Sequence, residues 1–433
     1  MDLASVESGA LGAECYEQRD SARNRRDGRI GGRADGKPLP WPYASHSVPH
    51  RMMNTERSDR EHTRRGAAAL ADEAARATVR ATAAASSGFA RRHAANRAAD
   101  FYRPGPGEVQ LSSIGIGTYL GECDDADDAR YERAIRAAVD GGINVIDSAI
   151  NYRCQRSERA VGRALAALER DGIAAREEIV ICTKGGYIPL DSAVPESRDA
   201  YQAMIARDYL DRGLMTADDI VAGGHCLAPA FLADQIARSR SNLGIATIDI
   251  YYLHNPEQQK PTLGATAFRE RLTRAFEALE ARAAAGDIAV YGCATWNGLR
   301  AARDARDHLS LEDLSNIALG VAGRGHHFRA IQLPISLAMS EAVRMPNQRV
   351  RGHDVTVLQA ASELGLSVFA SASLMQSKLT RDLPAAVRDA LPQLHTDAQR
   401  AIAFVRGMPG VTTALVGMRE PAHVAENLGA AAA

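Results

Sequence analysis

GGINVIDSAINY, residues 141–152, is the stretch whose reading decides the fold. Its Ile/Val run stops at Asp147, and a short loop then delivers Tyr152. The same form recurs twice downstream. EIVICTK (178–184) ends on Lys184, and IDIYYLH (248–254) ends on His254. Each run is short, rich in Val and Ile, and followed by a loop and a helical pattern. Continuous apolar runs of this kind mark parallel strands buried on both faces. Such strands deliver their terminal residues to one end of a sheet or barrel. A carboxylate, a phenol, an amine and an imidazole meeting there make a site for proton transfer.

Working outward, eight strand candidates appear: 113–117, 143–147, 178–183, 248–253, 288–294, 330–335, 366–371 and 413–417. Helical patterns lie at 127–140, 157–170, 230–243, 266–285, 297–306, 353–364, 396–407 and 421–429. Eight alternating units predict an α/β protein with a closed (β/α)8 TIM barrel. An open doubly wound sheet is the alternative, and it rarely needs eight units. The barrel gathers the loops after each strand at one face, where Asp147, Tyr152, Lys184 and His254 all fall. One connection is oversized. Residues 185–228 form an insertion after the third strand, with prolines, a GGHCLAP turn and a helix-like piece at 198–211. A long loop on the catalytic face reads as a lid or substrate wall.

The first 100 residues read differently. They hold 17 Lys+Arg against 13 Asp+Glu, no strand pattern, and an Ala/Arg-rich end. They are expected to be a disordered or weakly helical N-terminal arm, with the barrel occupying 101–433. The whole chain has 433 residues and a net charge of −1, which argues against a dedicated nucleic-acid or membrane-surface protein. No apolar run reaches the roughly 20 residues of a membrane span. Six cysteines, at 15, 123, 154, 182, 226 and 293, form no Cys-x-x-Cys pair. That spacing suggests neither a zinc ribbon nor a disulfide framework, and a cytoplasmic location fits it best. No metal site is expected. His225, His326 and His327 read as loop hydrogen-bonding residues.

The four strand-end groups make chemical sense together. A free phenol has a pKa of about 10, too high for efficient acid–base work at neutral pH. A neighbouring ammonium, Lys184, is expected to lower the Tyr152 value, with Asp147 holding the Lys by a charge-assisted hydrogen bond. His254 is placed to bond a substrate oxygen beside the Tyr hydroxyl.

Residues 101–433 resemble the aldo/keto reductase superfamily. The segments that carry the resemblance are GIGTY (115–119), GGINVIDSAINY (141–152), SERAVGRAL (157–165), ICTKGG (181–186), IDIYYLHNPE (248–257), YGCATW (291–296), IQLPISL (331–337) and GMREPAHVAENL (417–428). The resemblance implies NADP, or alternatively NAD, lying across the C-terminal face. It also implies carbonyl reduction with Tyr152 as general acid and Asp147, Lys184 and His254 as its partners. By the same resemblance Gly117, Thr118 and Tyr119 approach the nicotinamide ribose. Gln332 binds the carboxamide, and Ser371 takes the place of an aromatic residue that stacks on the nicotinamide in many members. Gly417, Arg419, His423, Glu426 and Asn427 take the adenosine phosphate and adenine. Trp296 walls the substrate pocket. Departures occur at Ala294 and Thr295, where the family usually has Ser and Asn.

The expected function is therefore reduction of a small-molecule aldehyde or ketone to an alcohol, with no nucleic-acid or membrane partner. Two other readings stand beside it. One is an NADP-binding regulatory barrel with little turnover. The other uses Lys184 as a Schiff-base nucleophile. Substrate and oligomeric state are not legible.

Overall fold

The computed structural model describes residues 79–432. Eight parallel strands close into a barrel: β1 (Ile114–Gly117), β2 (Val145–Asp147), β3 (Val180–Gly185), β4 (Ile248–His254), β5 (Ile288–Ala294), β6 (Phe328–Pro334), β7 (Ser367–Ser371) and β8 (Val411–Gly417). Each strand pairs with the next, and β8 closes on β1 through Gly417 opposite Gly117. A helix follows every strand: α1 (Asp125–Asp140), α2 (Arg156–Arg170), α3 (Pro229–Leu243), α4 (Lys260–Ala284), α5 (Leu311–Ala322), α6 (Val357–Glu363), α7 (Asp397–Arg406) and α8 (Pro421–Leu428). The expected (β/α)8 architecture is the observed one.

The period-two geometry of strands sorts the side chains. Val145, Val180, Cys182, Ile250, Tyr252, Ala330, Phe369 and Leu415 cluster inside the barrel. Ile146, Ile181, Tyr251, Leu253 and Cys293 alternate with them and pack under the helices. At Gly292 the register of β5 against β6 shifts, and a Cβ there would lie 1.9 Å from the Ala330 carbonyl oxygen. Only glycine allows that approach.

The barrel floor is plugged. A hairpin of Tyr102–Pro104 and Gln110–Ser112 sends Leu111 into the interior cluster. Asn144 stitches it on, with Nδ2 donating to the Gln110 and Glu178 carbonyls and Oδ1 accepting from Ser112 N. The ordered fold starts before 101. A helix at Ala83–His93, capped by Thr82, buries Phe89 completely in the main core. Just ahead of it, Ala81 N donates to Asp249 Oδ1 at 2.7 Å. Residues 79–100 therefore belong with the barrel, ahead of the expected boundary at 101, and were missed because one Phe among alanines and arginines gives no readable periodicity. The reading of 1–78 as an arm lies outside the described residues.

One other expectation changes. The helix expected at 297–306 is a series of turns. Asn347 Nδ2 donates to the carbonyls of Leu299 and Ala301, which a helix would need for itself. The helix after β5 instead starts at Leu311, behind the Ser310 cap. The 185–228 insertion is structured. It holds a helix at Arg198–Ile205 extended by a π-turn to Leu210. Ile188, Ile205, Tyr209, Met215 and Cys226 form a small core against Phe231 of α3. No helix among the described residues is long and apolar enough to cross a membrane.

Candidate active site

Asp147 and His254 end β2 and β4, Lys184 is the last residue but one of β3 between them, and Tyr152 stands in the loop after β2. The four are brought together at the C-terminal mouth. Lys184 Nζ donates to Asp147 Oδ2 and to the Ser148 carbonyl, both at 2.7 Å. Both side chains are almost fully buried, so the ammonium and carboxylate are matched in a low-dielectric setting. The other carboxylate oxygen, Oδ1, accepts from Gln332 Nε2 at 2.8 Å. That bond spans the mouth, since β2 and β6 lie on opposite sides of the barrel.

Lys184 Nζ lies 4.9 Å from the centre of the Tyr152 ring. The His254 and Tyr119 rings meet Tyr152 edge-on, with centroids at 5.9 and 5.0 Å. Some of the Tyr152 side chain meets solvent, but the phenol sits deep. Burial, reinforced by the Asp147 charge, pushes it well above the usual phenol range. The expectation that Lys184 lowers this value is not met. Its hydrogen bonds go to Asp147 and Ser148, and it faces the ring. Tyr152 therefore keeps its proton at neutral pH and is available as a donor.

His254 is held neutral. Burial, then the charge of Lys184 and the neighbouring His225, drive its pKa well below the ordinary imidazole value. Its Nδ1 is buried without a hydrogen-bond partner. Beside it lies an arrangement the sequence did not disclose. Tyr187 stacks edge-on against both His254 and His225, at 4.9 Å each. Gln259 Nε2 donates to His225 Nδ1 at 3.0 Å, which leaves the proton on Nε2 to bond the His254 carbonyl at 2.7 Å. Tyr187 and His225 both come from the insertion. Burial holds His225 down at about 4, so it is neutral too.

The insertion is thus part of the wall behind His254. Glu257 was also missed as a structural anchor. Its Oε1 accepts three backbone N–H groups, from Trp296, Asn297 and Gly298, at 2.7, 3.1 and 3.3 Å. Burial lifts its pKa to about 7 against those bonds. Trp296, which it holds, stands 43% exposed at the rim.

The aldo/keto reductase family model matches residues 113–317, from β1 into α5. Over those residues the chain is similar to the aldo/keto reductases. Among curated relatives, D-threo-aldose 1-dehydrogenase of Pseudomonas sp is 27% identical over 310 residues, covering 68% of this chain and 80% of that protein. Methylglyoxal reductase YeaE of Escherichia coli is 33% identical over 114 residues, 25% of this chain and 36% of that protein. Solved folds agree. Glycerol dehydrogenase from Gluconobacter oxydans superposes with a TM-score of 0.53 at 21% identity, covering 77% of this chain and 90% of that one. An aldo/keto reductase from Klebsiella pneumoniae, solved with NADP and acetate, gives 0.50 at 22% identity, covering 76% and 89%.

The expected cofactor residues occupy the other arc of the mouth. Gln332 lies near the end of β6, and Ser371, Gly417 and Gly117 end the adjacent strands β7, β8 and β1. Ser371 and Gly417 reach solvent, and Tyr119 is exposed beside them. Thr118 instead turns its hydroxyl inward, bonding the Asp147 carbonyl and Ser148 Oγ. Arg419 stands before α8 with Nη1 3.2 Å from Asp127 Oδ2. On α8 His423 is exposed, Glu426 partly so, and Asn427 buried. Thr295 Oγ1, just past the end of β5 between the two arcs, is buried and has no hydrogen-bond partner.

Proposed function

We propose that the chain is an NADP-dependent oxidoreductase that reduces an aldehyde or ketone to an alcohol. The observation that supports this best is the convergence of Asp147, Tyr152, Lys184 and His254 beside an open arc of strand ends. That arc suits a dinucleotide. It offers backbone at glycines, an unpaired Thr295 hydroxyl, and Arg419 ahead of a helix N-terminus where an anion is favoured. Gly117, Tyr119, Gln332, Ser371, Gly417 and Arg419 would hold the cofactor, with His423, Glu426 and Asn427 toward its adenine end. NADP, when bound, supplies the hydride.

The protein's own work is proton delivery and orientation. Tyr152 donates its proton to the carbonyl oxygen as negative charge grows there, and neutral His254 hydrogen-bonds the same oxygen. Lys184 stands over the Tyr152 ring and holds Asp147 beside it. Asp147 fixes Lys184, and Gln332 fixes Asp147. Trp296 and Tyr119 line the approach. The names of the two curated relatives point to small oxygenated carbonyls, such as aldoses and methylglyoxal, as first substrates to test. A cytoplasmic location matches five cysteines that form no disulfide among the described residues.

The test is fluorescence titration with NADPH and NADH, followed by a carbonyl panel monitored by cofactor oxidation. Tight NADPH binding with turnover on at least one carbonyl is expected. Tight binding with no turnover on any member would point to a regulatory barrel instead.

A further inference from the structure

Two cysteines outside the proposed chemistry lie together beside it. Cys123 sits in the β1–α1 loop, and Cys154 in the β2–α2 loop two residues past Tyr152. Neither is in a disulfide, and their sulfurs lie 3.1 Å apart. A disulfide bond is about 2.0 Å long, so closure asks for an approach of roughly 1 Å. Cys123 is half-buried and open to a small reagent, while Cys154 is buried behind it. Arg153, Cys154 and Gln155 all adopt left-handed backbone, with φ of 49°, 54° and 66°. Three such residues in a row, none of them glycine, are uncommon and hold the loop in one tight turn. Arg153 then clamps the partner loop. Its Nε donates to the Glu122 carbonyl at 2.8 Å and its Nη2 to the Asp124 carbonyl at 3.2 Å, on either side of Cys123. Its Nη1 is buried with no partner. The Cys154 contact, then the charges of Arg153 and Arg156, outweigh burial and the Glu122 charge and bring the Cys123 thiol down to about 7. The thiols of Cys182 and Cys226 are pushed up by burial instead.

We propose that Cys123 and Cys154 form a dithiol site that a peroxide converts reversibly into a disulfide, tying the β1–α1 loop to the loop that carries Tyr152. The Cys123 thiolate attacks one oxygen of hydrogen peroxide. The O–O bond breaks, the departing hydroxide takes a proton and leaves as water, and Cys123 becomes a sulfenic acid. Cys154 then gives up its proton and its sulfur attacks that of Cys123. The S–O bond breaks and the oxygen leaves as a second water. Two thiols lose two electrons and two protons, and peroxide gains them. A dithiol reductant reverses the step by thiol–disulfide exchange.

The test treats the full chain with hydrogen peroxide, counts thiols after denaturation, and maps cross-linked peptides by mass spectrometry. Two of the six thiols are expected to disappear. The peptide bearing Cys123 should be joined to that bearing Cys154, and dithiothreitol should restore both. Cys123→Ser should abolish the loss, and Cys154→Ser should leave Cys123 to oxidise onward without a cross-link. Six thiols persisting, a cross-link to another cysteine, or a sulfinic acid at Cys123 in the unaltered chain would overturn the proposal. Under the carbonyl-reduction reading, oxidation should also slow turnover, because the bond pulls on the segment two residues from Tyr152. The thiol count does not depend on that activity, so the two ideas fail separately.

Discussion

Tyr152 is the residue on which the proposed chemistry turns, and its surroundings set what its loss should do. General acid catalysis typically contributes about 10²–10⁴-fold. Tyr152→Phe should therefore lower kcat by that order while leaving NADPH affinity near its original value, read from steady-state rates and fluorescence titration together. An unchanged kcat would remove Tyr152 from the role. Lys184 makes a second prediction, about stability. Its ammonium and Asp147 form a buried pair, and removing one partner of such a pair costs about 3–5 kcal/mol. Lys184→Met should accordingly shift the urea midpoint strongly downward. Asp147, Lys184 and His254 were legible because each closes an apolar run, where a polar residue stands out, and Tyr152 because it follows Asp147 on the next turn. Tyr187, His225 and Glu257 were not. Nothing local marks a histidine as the support of another histidine's carbonyl, or a glutamate as the acceptor of three backbone N–H groups forty residues away.

Elements were easier to read where their period is long and uninterrupted. All eight strands are where the Val/Ile runs lie, and the structure adjusts only their ends. The helix expected at 297–306 failed because its alanines and arginines suit a helix locally while Asn347 takes two of its carbonyls. Tertiary hydrogen bonding overrode propensity there. The insertion shows the reverse. Its helix was visible, but its use was not. His225 has a testable signature at this scale. The unfolded chain protonates it near pH 6.5, whereas the folded one resists until about 4. Between those values the unfolded state holds the extra proton, so folding stability falls as pH falls, by about 1.4 kcal/mol per pH unit from this group. Gln keeps one acceptor and one donor but does not titrate. His225→Gln should flatten the loss of thermal stability between pH 6.5 and 4.5. Parallel melting curves for the two proteins over that range would refute the assignment.

At the level of the whole molecule the open question is where the barrel begins, and composition and packing answer it differently. Composition drew the line at 101, since the preceding segment lacks alternation and is rich in arginine. Packing places residues 79–100 with the barrel. Residues 79–100 supply a backbone N–H to Asp249, and Asp249 also accepts from Arg176 and from Ile181 N in β3. Thr82 N donates to the Glu177 carbonyl, and Arg92 pairs with Glu178. Phe89 is completely buried, and replacing a core Phe by Ala costs about 3–5 kcal/mol. The exposed Arg92 pair adds little by comparison. Removing the segment therefore uncovers the Phe89 cavity and leaves one carboxylate oxygen of Asp249 without its donor at the barrel floor. A chain beginning at residue 101 should unfold at a distinctly lower urea concentration than one beginning at 79. Phe89→Ala in the longer chain should account for most of the difference. Equal midpoints by circular dichroism would mean that the helix rides on the floor without holding it.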